Sequence, residues 1–168
     1  GAWSVPPTIL SEGAHSLTAV AQDAAGNTSP ASDPVVVTVD TTDPTVVVTT
    51  PADGSSTQDA TPDISGTTES GATVSLYDGA TLLATFPANA AGAWAFTPAV
   101  PLLAGPHTLT AHAVDPAGNG GPTSSAATFT IDTTSPAAPS IGFPISGSTT
   151  ADNTATVSGT AEAGSTVE

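Results

Sequence analysis

The chain contains no lysine, arginine, cysteine or methionine, and its aromatic residues amount to two Trp, one Tyr and four Phe among 168 residues. With no fixed positive charge there is no side chain to neutralise phosphates, which argues against nucleic-acid binding. The same gap removes attraction to an anionic membrane surface. It also removes the usual side-chain clamps for phosphate, nucleotide and carboxylate substrates. The 15 acidic residues set a formal charge of −15 and have no Lys or Arg to pair with. Without cysteine there is no disulfide, no thiolate chemistry and no cysteine–zinc site. No apolar run reaches the roughly 18 residues of a bilayer-spanning helix, so no membrane insertion is expected. The opening Gly1-Ala2-Trp3 lacks the basic region of a secretory leader. Trypsin has no cleavage site in such a chain.

What is present is Ala, Val and Thr, with 16 Gly and 16 Pro. Mean hydropathy is +0.14, unlike a charge-driven disordered tail. The composition suits half-buried strands and lean cores. It also repeats. Gly1-Ala2-Trp3-Ser4-Val5 matches Gly92-Ala93-Trp94-Ala95-Phe96, and His15-Ser16-Leu17-Thr18-Ala19 matches His107-Thr108-Leu109-Thr110-Ala111. Asp23-Ala24-Ala25-Gly26-Asn27 matches Asp115-Pro116-Ala117-Gly118-Asn119, and Asp40-Thr41-Thr42-Asp43-Pro44 matches Asp132-Thr133-Thr134-Ser135-Pro136. Ser65-Gly66-Thr67-Thr68-Glu69-Ser70-Gly71 matches Ser158-Gly159-Thr160-Ala161-Glu162-Ala163-Gly164. Three pieces follow: residues 1–39 as the back of one unit, 40–131 as a whole unit, and 132–168 as the front of a third.

Each unit reads as all-β. Thr45–Thr49 is a β-branched run ended by the turn composition Pro51-Ala52-Asp53-Gly54. A short strand is expected around Asp63–Thr67, and Ala72–Tyr77 alternates with Val74 and Leu76 on one face. Asp78-Gly79 is a hairpin signal, after which Leu82–Phe86 returns. Trp94 and Phe96 share a face of the next strand, with Trp94 and Trp3 expected in the core. His107–Val114 places Leu109, Ala111 and Ala113 inward, and the last strand aligns Ala127, Phe129 and Ile131. About seven short strands with turn punctuation predict an immunoglobulin-like β-sandwich, repeated in tandem.

The Gly-x-Trp strand, the run Gly105-Pro106-His107-Thr108-Leu109-Thr110-Ala111 continuing to Asp115-Pro116-Ala117-Gly118-Asn119, and the Asp-Thr-Thr-x-Pro linker together resemble bacterial Ig-like repeats. Those repeats are tandem modules of large secreted adhesins and other cell-surface proteins. The resemblance covers effectively the whole chain. It implies an extracellular, cell-surface location and an extender role, with neighbouring modules as partners and calcium stiffening the junctions.

Sandwich topology indicates which acids can meet. If successive strands run up and down, Asp40, Asp43, Glu69 and Asp115 cluster where the chain enters the complete unit. Asp132 and Glu162, with Asp53 a further candidate, belong to the junction after it. Converging carboxylates without Lys or Arg call for a hard cation with oxygen ligands, and calcium takes about 6–8 oxygens where magnesium demands a tighter shell. The competing reading is that Asp115 and Asn119 only shape a turn through Asx-type hydrogen bonds. No EF-hand pattern occurs. His15 and His107 are equivalent residues at a strand start, while His112 aligns with Val20 and is no repeated ligand.

The leading functional expectation is a structural extender of an extracellular adhesin or surface filament, its modules stacked end to end with calcium at the junctions. A carbohydrate- or protein-binding Ig-like module is the alternative from another class. A further variant is a head-to-tail filament in which the partial units of neighbouring chains complete one another. The composite unit would lack any counterpart of residues 76–91. An enzyme is not expected: there is no Gly-x-Ser-x-Gly elbow and no coherent set of catalytic residues.

Overall fold

The computed structural model describes residues 2–6 and 8–168, and its regular secondary structure is strands. In the first piece β1 (Gly13–Leu17) pairs antiparallel with β2 (Val35–Val39). In the last, β11 (Ser140–Phe143) pairs antiparallel with β12 (Ser158–Thr160). Eight strands lie between them: β3 (Val47–Thr50), β4 (Ser55–Thr57), β5 (Ile64–Thr67), β6 (Thr73–Asp78), β7 (Thr81–Pro87), β8 (Ala93–Phe96), β9 (Gly105–Val114) and β10 (Ala127–Ile131). They form a three-stranded sheet in the order β3-β5-β8 and a five-stranded sheet in the order β4-β10-β9-β6-β7. The fold is an all-β, Ig-like sandwich.

Period-two alternation sets which side chains go inside. Along β9 His107, Leu109, Ala111 and Ala113 are buried, and Ala127, Phe129 and Ile131 do the same along β10. Val74 and Leu76 of β6 complete the inner face of the large sheet, opposite Val46, Ile64 and Trp94. All thirteen residues of the buried cluster fall between positions 46 and 131. The core is lean in large side chains, so the few it has carry much of the packing. Trp94 lies against Gly66: a Cβ there would sit 2.3 Å from Trp94 Cζ2 and 1.9 Å from the Val47 carbonyl oxygen. Gly66 is therefore required by close approach. Phe86 closes the indole from the side at a ring-centroid distance of 5.8 Å, and itself stacks on Phe96 at 6.0 Å.

Two expectations are corrected. The complete unit has eight strands, because its opening strand is split. After β3 the chain passes Pro51 and crosses to the other sheet, where β4 pairs parallel with β10, Ser55 opposite Phe129 and Thr57 opposite Ile131. Asp53-Gly54 is thus a jog between sheets, level with Thr128, and not a reversal at the far pole. The reversal comes later, between β4 and β5. The second correction concerns Trp3, which is 75% exposed. The positions of its repeat that correspond to Val46 and Gly66 are not among these 168 residues.

Where Asp40 leads into the eight-stranded unit is called here the upstream pole; Asp132, whose N–H donates to the Thr57 carbonyl at 2.8 Å, marks the downstream pole. Trp94→Ala should lower unfolding free energy by about 3–5 kcal/mol, the usual cost of truncating a buried large aromatic. Trp3→Ala should change it by less than about 0.5 kcal/mol. Urea unfolding of the two variants checks the contrast.

Candidate metal centre at the upstream pole

The loop joining β9 to β10 begins Asp115-Pro116-Ala117-Gly118-Asn119. Its shape is set by its own hydrogen bonds. Asp115 Oδ1 accepts the backbone N–H groups of Gly118 at 2.7 Å and Asn119 at 2.8 Å. The Asn119 side-chain amide donates to Asp115 Oδ2 at 2.7 Å, and the Asp115 N–H closes the turn on the Asn119 carbonyl at 3.0 Å. Gly118 holds φ +101°, a conformation that favours glycine. The equivalent Asp23 loop shares the bonds to its Asn: Asp23 Oδ1 accepts the Asn27 N–H and Oδ2 the Asn27 amide at 2.8 Å, with Ala25 as the other N–H donor in place of the glycine. Two copies sharing these bonds in different surroundings show that the loop is self-shaped. The Asx-type reading of Asp115 therefore holds for the loop's conformation.

The loop also grips the linker. Asn119 Nδ2 donates a second bond, to the Asp40 carbonyl oxygen at 3.0 Å. Next to it Pro44 is buried against Gly121, where a Cβ would lie 1.7 Å from the Pro44 carbonyl oxygen. Asp40 Oδ1 accepts the Thr42 N–H at 3.1 Å, a local turn repeated by Asp132 and Thr134 at 2.9 Å. From the other side Glu12 reaches Thr41: its carboxylate accepts the Thr41 N–H at 3.1–3.2 Å and the Thr41 hydroxyl at 2.7 Å. The sequence comparison did not single out Glu12, since the aligned residue in the next repeat is Ala104.

Three carboxylates meet here. Asp40, Glu69 and Asp115 each offer an oxygen, and these atoms lie within 4.8 Å of one another. Asp40 is half-buried and Asp115 is buried, at 5% exposure. Glu69 comes from the turn between β5 and β6, where the Ala72 N–H donates to its carbonyl at 3.2 Å. Its carboxylate has no hydrogen-bond partner among the described residues. Asp43, the fourth residue expected at this pole, is exposed and outside the trio; it lines a groove beside it with Pro44, Thr68 and Glu69. Asp132 and Glu162 repeat the local turns of Asp40 and Glu69, but among the described residues no three-acid group includes them. The position matching Asp115 in their repeat lies past residue 168. Asp53 belongs elsewhere: its Oδ1 accepts the Thr128 N–H at 2.8 Å and hydroxyl at 2.7 Å.

The donor set is all oxygen. That chemistry fits a hard cation such as calcium and offers nothing to a soft metal. The residues that would hold it are Asp40, Glu69 and Asp115, with water completing the shell.

Burial alone would raise the Asp115 pKa. The Asn119 amide and the loop N–H groups outweigh it, and the carboxyl is held below its ordinary 3.8. A depressed carboxylate stabilises the fold above its unfolded pKa, and that contribution is lost as the pH falls through the folded value. Asp115→Ala should therefore melt at a lower temperature than the parent at pH 7. The gap should narrow as the pH falls below 3.8. Thermal unfolding followed from pH 7 to pH 2 checks this.

Comparison with known proteins agrees with this architecture. No curated protein matches the chain. The family described as "Bacterial Ig-like domain" matches residues 49–133, from within β3 to just past β10. Domains of that family usually occur in surface or extracellular proteins, and the family is typically non-enzymatic. The match spans half the chain and coincides with the eight-stranded sandwich, so this chain belongs to the bacterial Ig-like domain family.

Proposed function

We propose that the chain is a structural extender segment of an extracellular surface filament or adhesin, with divisions at residues 1–39, 40–131 and 132–168. Its partners are the neighbouring Ig-like modules, stacked end to end, and calcium at the upstream pole stiffens the junction. The observation that carries the reading is the double hold on the linker. Glu12 of the preceding repeat binds Thr41, and Asn119 of the following repeat binds the Asp40 carbonyl. A linker held from the β1–β2 piece on one side and from the sandwich on the other transmits orientation from one module to the next.

The cation part rests on Asp40, Glu69 and Asp115. Their oxygens converge in a protein with no Lys or Arg to offset them. Like charges at such separations repel by roughly 1–4 kcal/mol in a surface dielectric. A divalent ion would turn that repulsion into attraction and tie the linker residue Asp40 to two loops of the sandwich. No step of chemistry is asked of it; its work is mechanical.

Thermal unfolding in calcium and in EDTA tests the cation. At free calcium one hundred times its dissociation constant, stabilisation should reach about 2.7 kcal/mol. Glu69→Gln should abolish most of that gain and leave the EDTA melting temperature no lower than the parent's, because the Glu69 side chain has no hydrogen bond to lose and its charge adds to the repulsion. Equal melting temperatures in calcium and EDTA would remove calcium from the account. The extender reading is tested separately by small-angle scattering. Glu12→Ala should broaden the distribution of maximum dimension if Glu12 holds the junction. An unchanged distribution would count against the two-sided hold.

A further inference from the structure

The downstream half of the sandwich contains a buried charge device that the linker and the acidic pole do not use. His107 opens the inward row of β9 and is 9% exposed. Its ring stacks on Phe129 at a centroid distance of 5.1 Å. Both ring nitrogens face oxygen. Nδ1 lies 2.7 Å from Asp78 Oδ2, and Nε2 lies 2.8 Å from the Leu103 carbonyl oxygen. A carboxylate and a backbone carbonyl only accept. A neutral imidazole has one N–H, so it would leave one ring lone pair facing an oxygen lone pair. With Asp78 ionised, only the imidazolium satisfies both contacts.

Asp78 is fixed in turn. It ends β6 at the hairpin into β7, and its Oδ1 accepts the Thr108 N–H at 3.0 Å. Gly79 in the same turn donates its N–H to the Thr108 carbonyl at 2.8 Å. One ring therefore bridges the β6–β7 turn and the segment entering β9. The other titratable groups on the surrounding elements are committed or turned away. Asp53, before β4, is bonded to Thr128, and Asp132, after β10, to Thr134. Tyr77 of β6 lies at the position next to Asp78, on the opposite parity from the buried Leu76. His112, on β9 itself, likewise falls on the opposite parity from His107. The preceding repeat keeps half of the arrangement: His15 Nε2 lies 2.7 Å from the Ser11 carbonyl oxygen.

We propose that His107 is held as the doubly protonated imidazolium at neutral pH, an internal cation clamping the β6–β7 turn to the start of β9, and that alkaline deprotonation releases the clamp. Burial of the ring works against the charge. The hydrogen bonds to Asp78 and Leu103, with the Asp78 charge, outweigh it, and the pKa stands above its ordinary 6.5. The contribution to stability is then fully present below the unfolded pKa and is lost as the pH rises through the folded one. In a chain without Lys or Arg, histidine is the side chain able to play this part.

Nitrogen-15 NMR of the histidine rings in the full chain reads the state directly, with His15→Gln and His112→Gln used to assign the signals. Both His107 nitrogens should carry protons at pH 6.5, with a titration midpoint above that value. Asp78→Asn should move the midpoint down. Thermal unfolding should show the parent losing stability through the alkaline limb, and His107→Gln should flatten that limb. A single neutral tautomer at pH 6.5, whether with an ionised or a protonated Asp78, would overturn the proposal. So would a midpoint that Asp78→Asn leaves in place. The parent spectrum decides the matter even where a variant fails to fold.

Discussion

Carboxylates without cationic side chains must find their hydrogen bonds in the main chain, and much of the loop structure follows from that constraint. Asp23 and Asp115 each accept two backbone N–H groups of their own loops. Asp53 fastens the jog between sheets to Thr128, and Asp59 and Asp152 turn back onto Thr61 and Thr154. A charge-assisted bond to a backbone N–H is stronger than a neutral one. The acids therefore serve as turn formers. The one ion pair among the described residues uses histidine in place of Lys or Arg.

This arrangement suits a repeated module. The Asp23 and Asp115 loops are each specified by their own hydrogen bonds and form in both copies although their surroundings differ. What differs between copies is the contact across the junction. Glu12 reaches Thr41 at the first junction, while Ala104 leaves the corresponding hold absent at the second. Packing adds to the upstream pole, where Pro44 presses on Gly121 and glycine is the residue that leaves space for it. The two linkers share the Asp-Thr-Thr-x-Pro pattern, with Asp43 in the first and Ser135 in the second, and only the first has the Glu12 contact.

Much of this was legible in the residues. Alternation placed Leu109, Ala111, Ala113, Phe129 and Ile131 in the core, and strand counting gave the upstream meeting of Asp40, Glu69 and Asp115. The split opening strand was not legible, because Ser55–Thr57 is too short and too polar to show a period; its pairing with β10 comes from the tertiary fold. Assigning Asp53 to the downstream junction followed from that omission. Asp43 fell outside the trio because Pro44 is the linker residue turned inward. Asp78 was visible only as a turn former. Its partnership with His107 depends on the register between β6 and β9, which places Asp78 opposite Leu109 and was not available from either segment alone. Glu12 carried no repeat signal at all.

The central proposal is that the linker is pinned between the β1–β2 piece and the eight-stranded sandwich, at an oxygen-rich pole that takes a hard cation. Amide hydrogen exchange at Thr41 and Thr42 measures it most directly, since their N–H groups donate to Glu12 and Asp40. The account predicts slowed exchange at both amides in the metal-free chain and a further slowing when calcium is added. Exchange at the rate of an unstructured peptide, the same with and without calcium, would contradict it.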